Sequence, residues 1–236
     1  MTTSDTTDGS GYALFGGSET EPEIEIPAGT SLLVTAPEPT GSEFLLELLA
    51  RGRNTGEELL VLTTDSPVGE ITEGIETATD ATAGDSTGGI TIIDCQTESI
   101  SPPEGPEAPT VGQNVNAPRN LTDIGIGFNE AFDGFETEAI HRVRFGLLSL
   151  SIVLSYVNQE TTYRFCRTLT RGIRREGAIG VFLLNSNAHD EGTVNTLSRA
   201  FDGTLEVEAT DDSRRMRLSG LDGAAAEWHP VGARAR

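Results

Sequence analysis

An α/β fold with a mainly parallel central sheet and an antiparallel hairpin at its C-terminal edge is predicted by three observations. Short apolar runs alternate with segments of helical spacing along residues 27–230. The first such run passes into its helix through a tight turn containing Gly41. The last two runs, 204–209 and 214–219, alternate apolar and polar residues around Asp211 and Asp212, as the two arms of a hairpin do.

Taken in order, Ser31-Leu32-Leu33-Val34-Thr35 reads as a buried strand, and residues 42–51 carry Phe44, Leu45, Leu48 and Leu49 on one helical face. A strand at 58–63 and a helix after Pro67, through Ile71 and Ile75, repeat the unit. A Gly-rich connection leads to a strand at 90–94. Residues 96–120 are Pro-rich and without periodicity, which predicts an irregular loop over the sheet. A helix at 121–136, a strand at 143–150, a helix at 160–175, a strand at 179–184 and a helix at 190–201 complete the alternation. Residues 1–26 are polar and acidic and are expected to form a flexible tail, as are 231–236, so one domain spans 27–230.

Charge is the strongest compositional signal. Asp and Glu number 37 against 16 basic residues, for a net charge of −21, and every basic residue is Arg. A surface this acidic repels itself in dilute salt, whereas molar salt shortens the Debye length to about 3 Å. The composition therefore predicts the cytoplasm of a salt-in halophile of archaeal type, and it argues against nucleic acid as a partner. Residues 1–9 lack the basic and apolar pattern of a signal peptide, and the apolar run 145–154 is too short to span a bilayer, so no membrane association is expected. Cys95 and Cys166 read as small buried apolar residues, and His141, His189 and His229 lack metal-ligand spacing.

The turn after the first strand is where an open α/β sheet receives phosphates on the amides of a helix N-terminus. Here it reads Ala36-Pro37-Glu38-Pro39-Thr40-Gly41-Ser42-Glu43. Only Gly41 keeps the register of a phosphate-binding loop, and Ser42 and Glu43 stand where Lys and a hydroxyl residue belong.

Three blocks give this turn a wider context: Gly29-Thr30-Ser31-Leu32-Leu33-Val34, the segment 56–67 from Gly56 to Pro67, and 144–151 from Arg144 to Ser151. Together with the stretch 121–228, including Asn187-Ala188-His189-Asp190-Glu191, they resemble the KaiC-like branch of RecA-type ATPases over about residues 29–230. The resemblance implies a RecA-like three-layer core. It also implies that the paired acidic residues that activate water fall on Thr64 and Asp65. The acidic end of the metal-supporting strand falls on Leu148, and the basic residues offered to a neighbouring subunit fall on Gly220 and Asp222. Glu38 and Glu43 add carboxylates where phosphate charge would lie, and unit charges about 4 Å apart repel by roughly 4 kcal/mol at an effective dielectric near 20.

These departures together predict a pseudo-ATPase that works as a regulatory or protein-interaction module, with no cofactor and no stable homohexamer. The rival expectation is a weak ATP binder active only within a mixed oligomer, for example with another RecA/KaiC-like subunit. Helix 160–175 carries Arg164, Arg167, Arg171, Arg174 and Arg175 on one stripe, opposite Phe165, Cys166, Leu169 and Ile173. The stripe either pairs with the protein's own carboxylates or docks an acidic protein partner. His189-Asp190-Glu191, between a strand and a helix, is placed as an acid/base group or metal corner would be, but it reads first as a helix start, with Asp190 as the cap and Glu191 favoured by the helix dipole.

Overall fold

The computed structural model describes residues 11–16, 22–79, 88–95, 110–114, 119–137, 140, 142–210, 213–221 and 226–232. The strands are β1 Tyr12–Gly16, β2 Glu23–Ile26, β3 Ser31–Ala36, β4 Glu58–Thr63, β5 Ile90–Asp94, β6 Thr110–Asn114, β7 Val143–Leu147, β8 Ile179–Asn185, β9 Gly203–Ala209, β10 Arg214–Ser219 and β11 His229–Pro230. The helices are α1 Thr40–Asn54, α2 Val68–Ala78, α3 Leu121–Thr137, α4 Leu150–Tyr156, α5 Gln159–Glu176 and α6 Glu191–Ser198.

Among the described residues the main sheet has nine strands in the order β11-β10-β9-β3-β8-β7-β4-β5-β6. The run from β9 to β6 is parallel throughout, while β10 lies antiparallel to both β9 and β11. The α/β class, the mainly parallel sheet and the C-terminal antiparallel hairpin are thus as the sequence predicts. Parallel strands buried on both faces need apolar residues at consecutive positions, and Leu32, Leu33 and Val34 of β3 all have 0% exposure. One apolar core lies between the sheet and α1 with α2, around Phe44, Leu48, Val61 and Ile71. The other lies under α3, α5 and α6, around Phe128, Phe145, Phe182 and Leu197. The result is three layers with the carboxyl ends of the parallel strands at one rim.

Local signals explain the helix boundaries. Asn158 caps α5 by accepting the Thr161 N–H at 2.9 Å, and Gly177, at φ +63°, ends it in the left-handed conformation. The expected strand 143–150 stops at Leu147, because the Ser149 side chain accepts the Ile152 N–H and starts α4. A single apolar run therefore serves two elements, and periodicity does not divide it.

Three further expectations need correction. The segment 1–26 is not all tail: β1 and β2 form a separate antiparallel pair, with Tyr12, Leu14, Phe15 and Ile26 buried. Phe15 packs near Phe44 of α1, ring centroids 6.1 Å apart, and the Arg51 guanidinium lies over it. Averaging composition over 26 residues dilutes the short apolar run 12–15, which is enough for one hairpin arm docked on an existing core. Within 96–120, residues 110–114 form β6, which extends the parallel sheet beyond β5; residues 96–109 and 115–118 lie outside the described ones. The expected C-terminal tail begins with Val231, whose side chain is buried and whose N–H donates to the Arg214 carbonyl. No helix among the described residues is long and apolar enough to cross a membrane.

Candidate functional site

In an open α/β sheet, ligands bind outside the carboxyl ends of the strands, where adjacent crossovers leave the sheet on opposite faces. Here α1 leaves β3 toward one face, whereas β8 leads into α6 on the other. A cleft of about 540 Å³ opens at this rim, lined by Glu38, Ser42, Asp65, Ser149, Ser151, Asn185 and His189 with Ile152, Leu154, Ser155 and Ala188.

At the turn after β3, the first amides of α1 are already engaged. Gly41 N–H donates to the Pro37 carbonyl at 2.9 Å and Glu43 N–H to the Pro39 carbonyl at 3.2 Å. Between them, the Ser42 N–H donates to Glu38 Oε2 at 3.4 Å, and the Ser42 hydroxyl donates to the same oxygen at 2.9 Å. The carboxylate of Glu38 thus occupies the position on the helix N-terminus that an anionic ligand would take. Gly41 itself allows close packing, since an added Cβ would come within 2.9 Å of Leu183 Cδ1 and 3.2 Å of Ala36 Cβ.

The other positions singled out in the sequence divide between the cleft and elsewhere. Asp65 lines the cleft, and the packed surroundings of its mouth raise its carboxyl above the ordinary range even though part of the side chain reaches solvent. Thr64 is buried and donates from Oγ1 to the Ser149 carbonyl at 3.3 Å, tying the end of β4 to the end of β7. Leu148 is buried in the core beside α1 and presents no charge to the cleft. Glu43 is exposed and turns toward a smaller cavity with Thr40, Glu47, Thr210 and Arg214, so it does not join Glu38 as expected. Gly220, at φ +87°, lies against Gly203 and Asp202 at the amino end of the sheet, away from the cleft. Asp222 lies outside the described residues.

The arginine stripe on α5 is also divided. Arg164 pairs with Glu160, Arg174 with Asp202, and Arg175 with Glu176. Asp202 also accepts the Ser31 N–H at 2.9 Å, which places Arg174 in a structural network. Among the described residues, Arg167 and Arg171, one turn apart on the same face, make no ion pair; Arg171 is exposed and Arg167 half-buried. At the start of α6, Asp190 accepts the Thr193 N–H at 2.8 Å, which holds its carboxyl below the ordinary range and makes it the helix cap that the sequence predicts.

Sequence reasoning missed Ser151 and Asn185. Ser151 Oγ lies 2.9 Å from His189 Nε2 and accepts the Asn185 N–H at 3.0 Å. Neither residue falls in a local motif, because the contact joins the ends of two strands through residues 34 and 38 positions apart. Among the described residues no three His, Cys, Asp or Glu side chains converge as metal ligands would.

No curated protein matches the chain. Residues 29–207, from the turn before β3 into β9, match a family of unknown function, DUF7504, and since that span takes in most of the chain, the protein belongs to the DUF7504 family.

Proposed function

We propose that the chain is a RecA/KaiC-like pseudo-ATPase, acting without phosphoryl-transfer chemistry as a regulatory or protein-interaction module in a halophilic archaeal cytoplasm. The contact between Glu38 and Ser42 carries this reading. A nucleotide phosphate would have to displace a carboxylate tethered four residues away and then remain beside it. The amides on either side are committed to Pro37 and Pro39. Phosphoryl transfer depends on positioning and on cationic stabilisation of spreading negative charge. Among the described residues, those lining the cleft include no Arg, and Leu148 supplies packing where a metal-supporting carboxylate would be needed.

A parallel sheet with helices on both faces is the framework expected of a RecA-like core, and its loss of nucleotide chemistry leaves recognition as the retained use. The Arg167 and Arg171 pair is the surface best suited to a protein partner, such as another RecA/KaiC-like subunit, because among the described residues it makes no ion pair. Titration calorimetry with MgATP in molar KCl tests the reading. The expected result is no saturable heat and no phosphate release. Saturable binding or turnover that Ser42→Ala abolishes would overturn it.

A further inference from the structure

The same cleft holds a second constellation. Ser151 follows β7, while Asn185 and His189 follow or end β8, so two neighbouring strands deliver them to the same rim. Because the Asn185 N–H donates to Ser151 Oγ at 3.0 Å, the hydroxyl proton is free to point at His189 Nε2, 2.9 Å away. That direction requires a neutral imidazole with its proton on Nδ1. Burial holds His189 below the ordinary imidazole value, which keeps this form populated at neutral pH. The Asn185 carboxamide oxygen accepts the Asn187 N–H at 3.0 Å, which leaves its NH2 as a donor in the lining of the cleft.

We propose that Ser151 is a nucleophile with His189 as its general base, and that the cleft accepts a neutral or cationic carboxylic ester. A hydroxyl within hydrogen-bond reach of an imidazole is the geometry that activates serine. The charge preference follows from Glu38 and Asp65, which line the same cleft and repel an anionic substrate. This inference goes beyond the pseudo-ATPase reading and does not rest on it, since from the turn after β3 it takes only the charge of Glu38, which holds whether or not nucleotide binds, and it uses none of the arginines of α5.

The chemistry balances without a cofactor. Ser151 Oγ attacks the acyl carbon as its proton passes to His189 Nε2, and the carbonyl electron pair moves onto oxygen, where the Asn185 NH2 donates a hydrogen bond. On collapse, the bond from the acyl carbon to the leaving alkoxy oxygen breaks, and the alcohol departs with the Nε2 proton. Water then cleaves the Ser151 ester by the same route, so ester and water give acid and alcohol.

The test is to incubate the full chain in molar KCl with a fluorophosphonate, to locate the adduct by intact mass and peptide mapping, and to follow hydrolysis of p-nitrophenyl acetate. A single adduct on Ser151 is expected, together with ester turnover that Ser151→Ala reduces to the buffer rate. His189→Gln should slow adduct formation by about 100-fold or more, the scale of a lost general base, with an unchanged circular dichroism spectrum. Wild-type protein that takes no adduct, or takes it at another residue, overturns the proposal without recourse to any variant. Equal turnover by Ser151→Ala also overturns it.

Discussion

Arg144 and Glu57 form an ion pair with both side chains at 0% exposure, Nε to Oε2 2.8 Å, at the amino end of the sheet where β7 and β4 run side by side. The remaining Arg144 donors are used as well: Nη1 donates to the Leu48 carbonyl at 2.5 Å, and Nη2 to the Ala13 carbonyl at 2.8 Å. One guanidinium thus joins β7, β4, α1 and the N-terminal β1. Gly52 of α1 makes room for it, because a Cβ there would lie 2.4 Å from Arg144 Nε and 2.7 Å from Glu57 Oε2.

The first prediction follows from this arrangement. Arg144→Met leaves the Glu57 carboxylate without its closest partner and removes one hydrogen bond from each of the Leu48 and Ala13 carbonyls. Removing one partner of a buried pair costs about 3–5 kcal/mol, which lowers Tm by about 6–20 °C in a domain of this size. Gly52→Ala should destabilise through the same pair, by steric displacement. Since the pair is excluded from solvent, the loss should be similar in 0.5 M and 3 M KCl, unlike that of a screened surface pair. Thermal melts of the two variants at both salts check this. An Arg144→Met protein that melts within a degree or two of wild type would show that the pair is not holding the hairpin to the sheet.

The same pair marks the limit of what the sequence reveals. Arg144 was legible as part of a strand, from the apolar run beginning at Val143, but a charged residue inside that run carries no sign of its partner 87 residues earlier. The alternation of strands and helices was readable because each element's period is local. Asp190 as a cap was readable for the same reason, since its bond to Thr193 spans three residues. The hairpin β1–β2 was not readable, because its stability comes from docking on α1 and from Arg142 and Arg144, whose guanidinium groups reach the Gly11 and Ala13 carbonyls. In the candidate site, Glu38 and Ser42 were visible as departures from a phosphate-binding turn. Their direct contact, and the meeting of Ser151 with His189, depend on how the rim is assembled and not on any spacing.

A second prediction concerns the thiols. Cys95 and Cys166 have 0% exposure, and burial pushes both up to about 12, with the Asp94 charge adding to the effect at Cys95. A thiolate is the reactive form, and at pH 8 a thiol of that pKa is ionised to only about one part in ten thousand. Native protein should therefore leave Ellman's reagent unreacted over an hour at pH 8 in molar KCl. Both thiols should titrate rapidly once guanidinium unfolds the chain. Fast reaction of one thiol in the native state would mean that the core beneath α3 or α5 opens locally, well short of global unfolding.

The last prediction uses the division of the arginine stripe. Arg174 is tied to Asp202, which in turn holds the Ser31 amide, so Arg174→Glu should lower Tm by placing like charges together at a structural contact. Arg167 and Arg171 have no such partner among the described residues, and their charge reversal should leave Tm within about a degree. Exposed ion pairs contribute about 0–1 kcal/mol and less in high salt, so a partner that binds here in molar KCl must cover the guanidinium groups with apolar contacts. Arg167→Glu combined with Arg171→Glu should then abolish partner capture in high-salt pulldowns while the melt is unchanged. Arg164→Glu, which loses only an exposed pair with Glu160, serves as the control of similar charge change per site. If the double variant keeps its partners, recognition lies on another face; if it instead unfolds many degrees earlier, the two arginines belong to the protein's own structure.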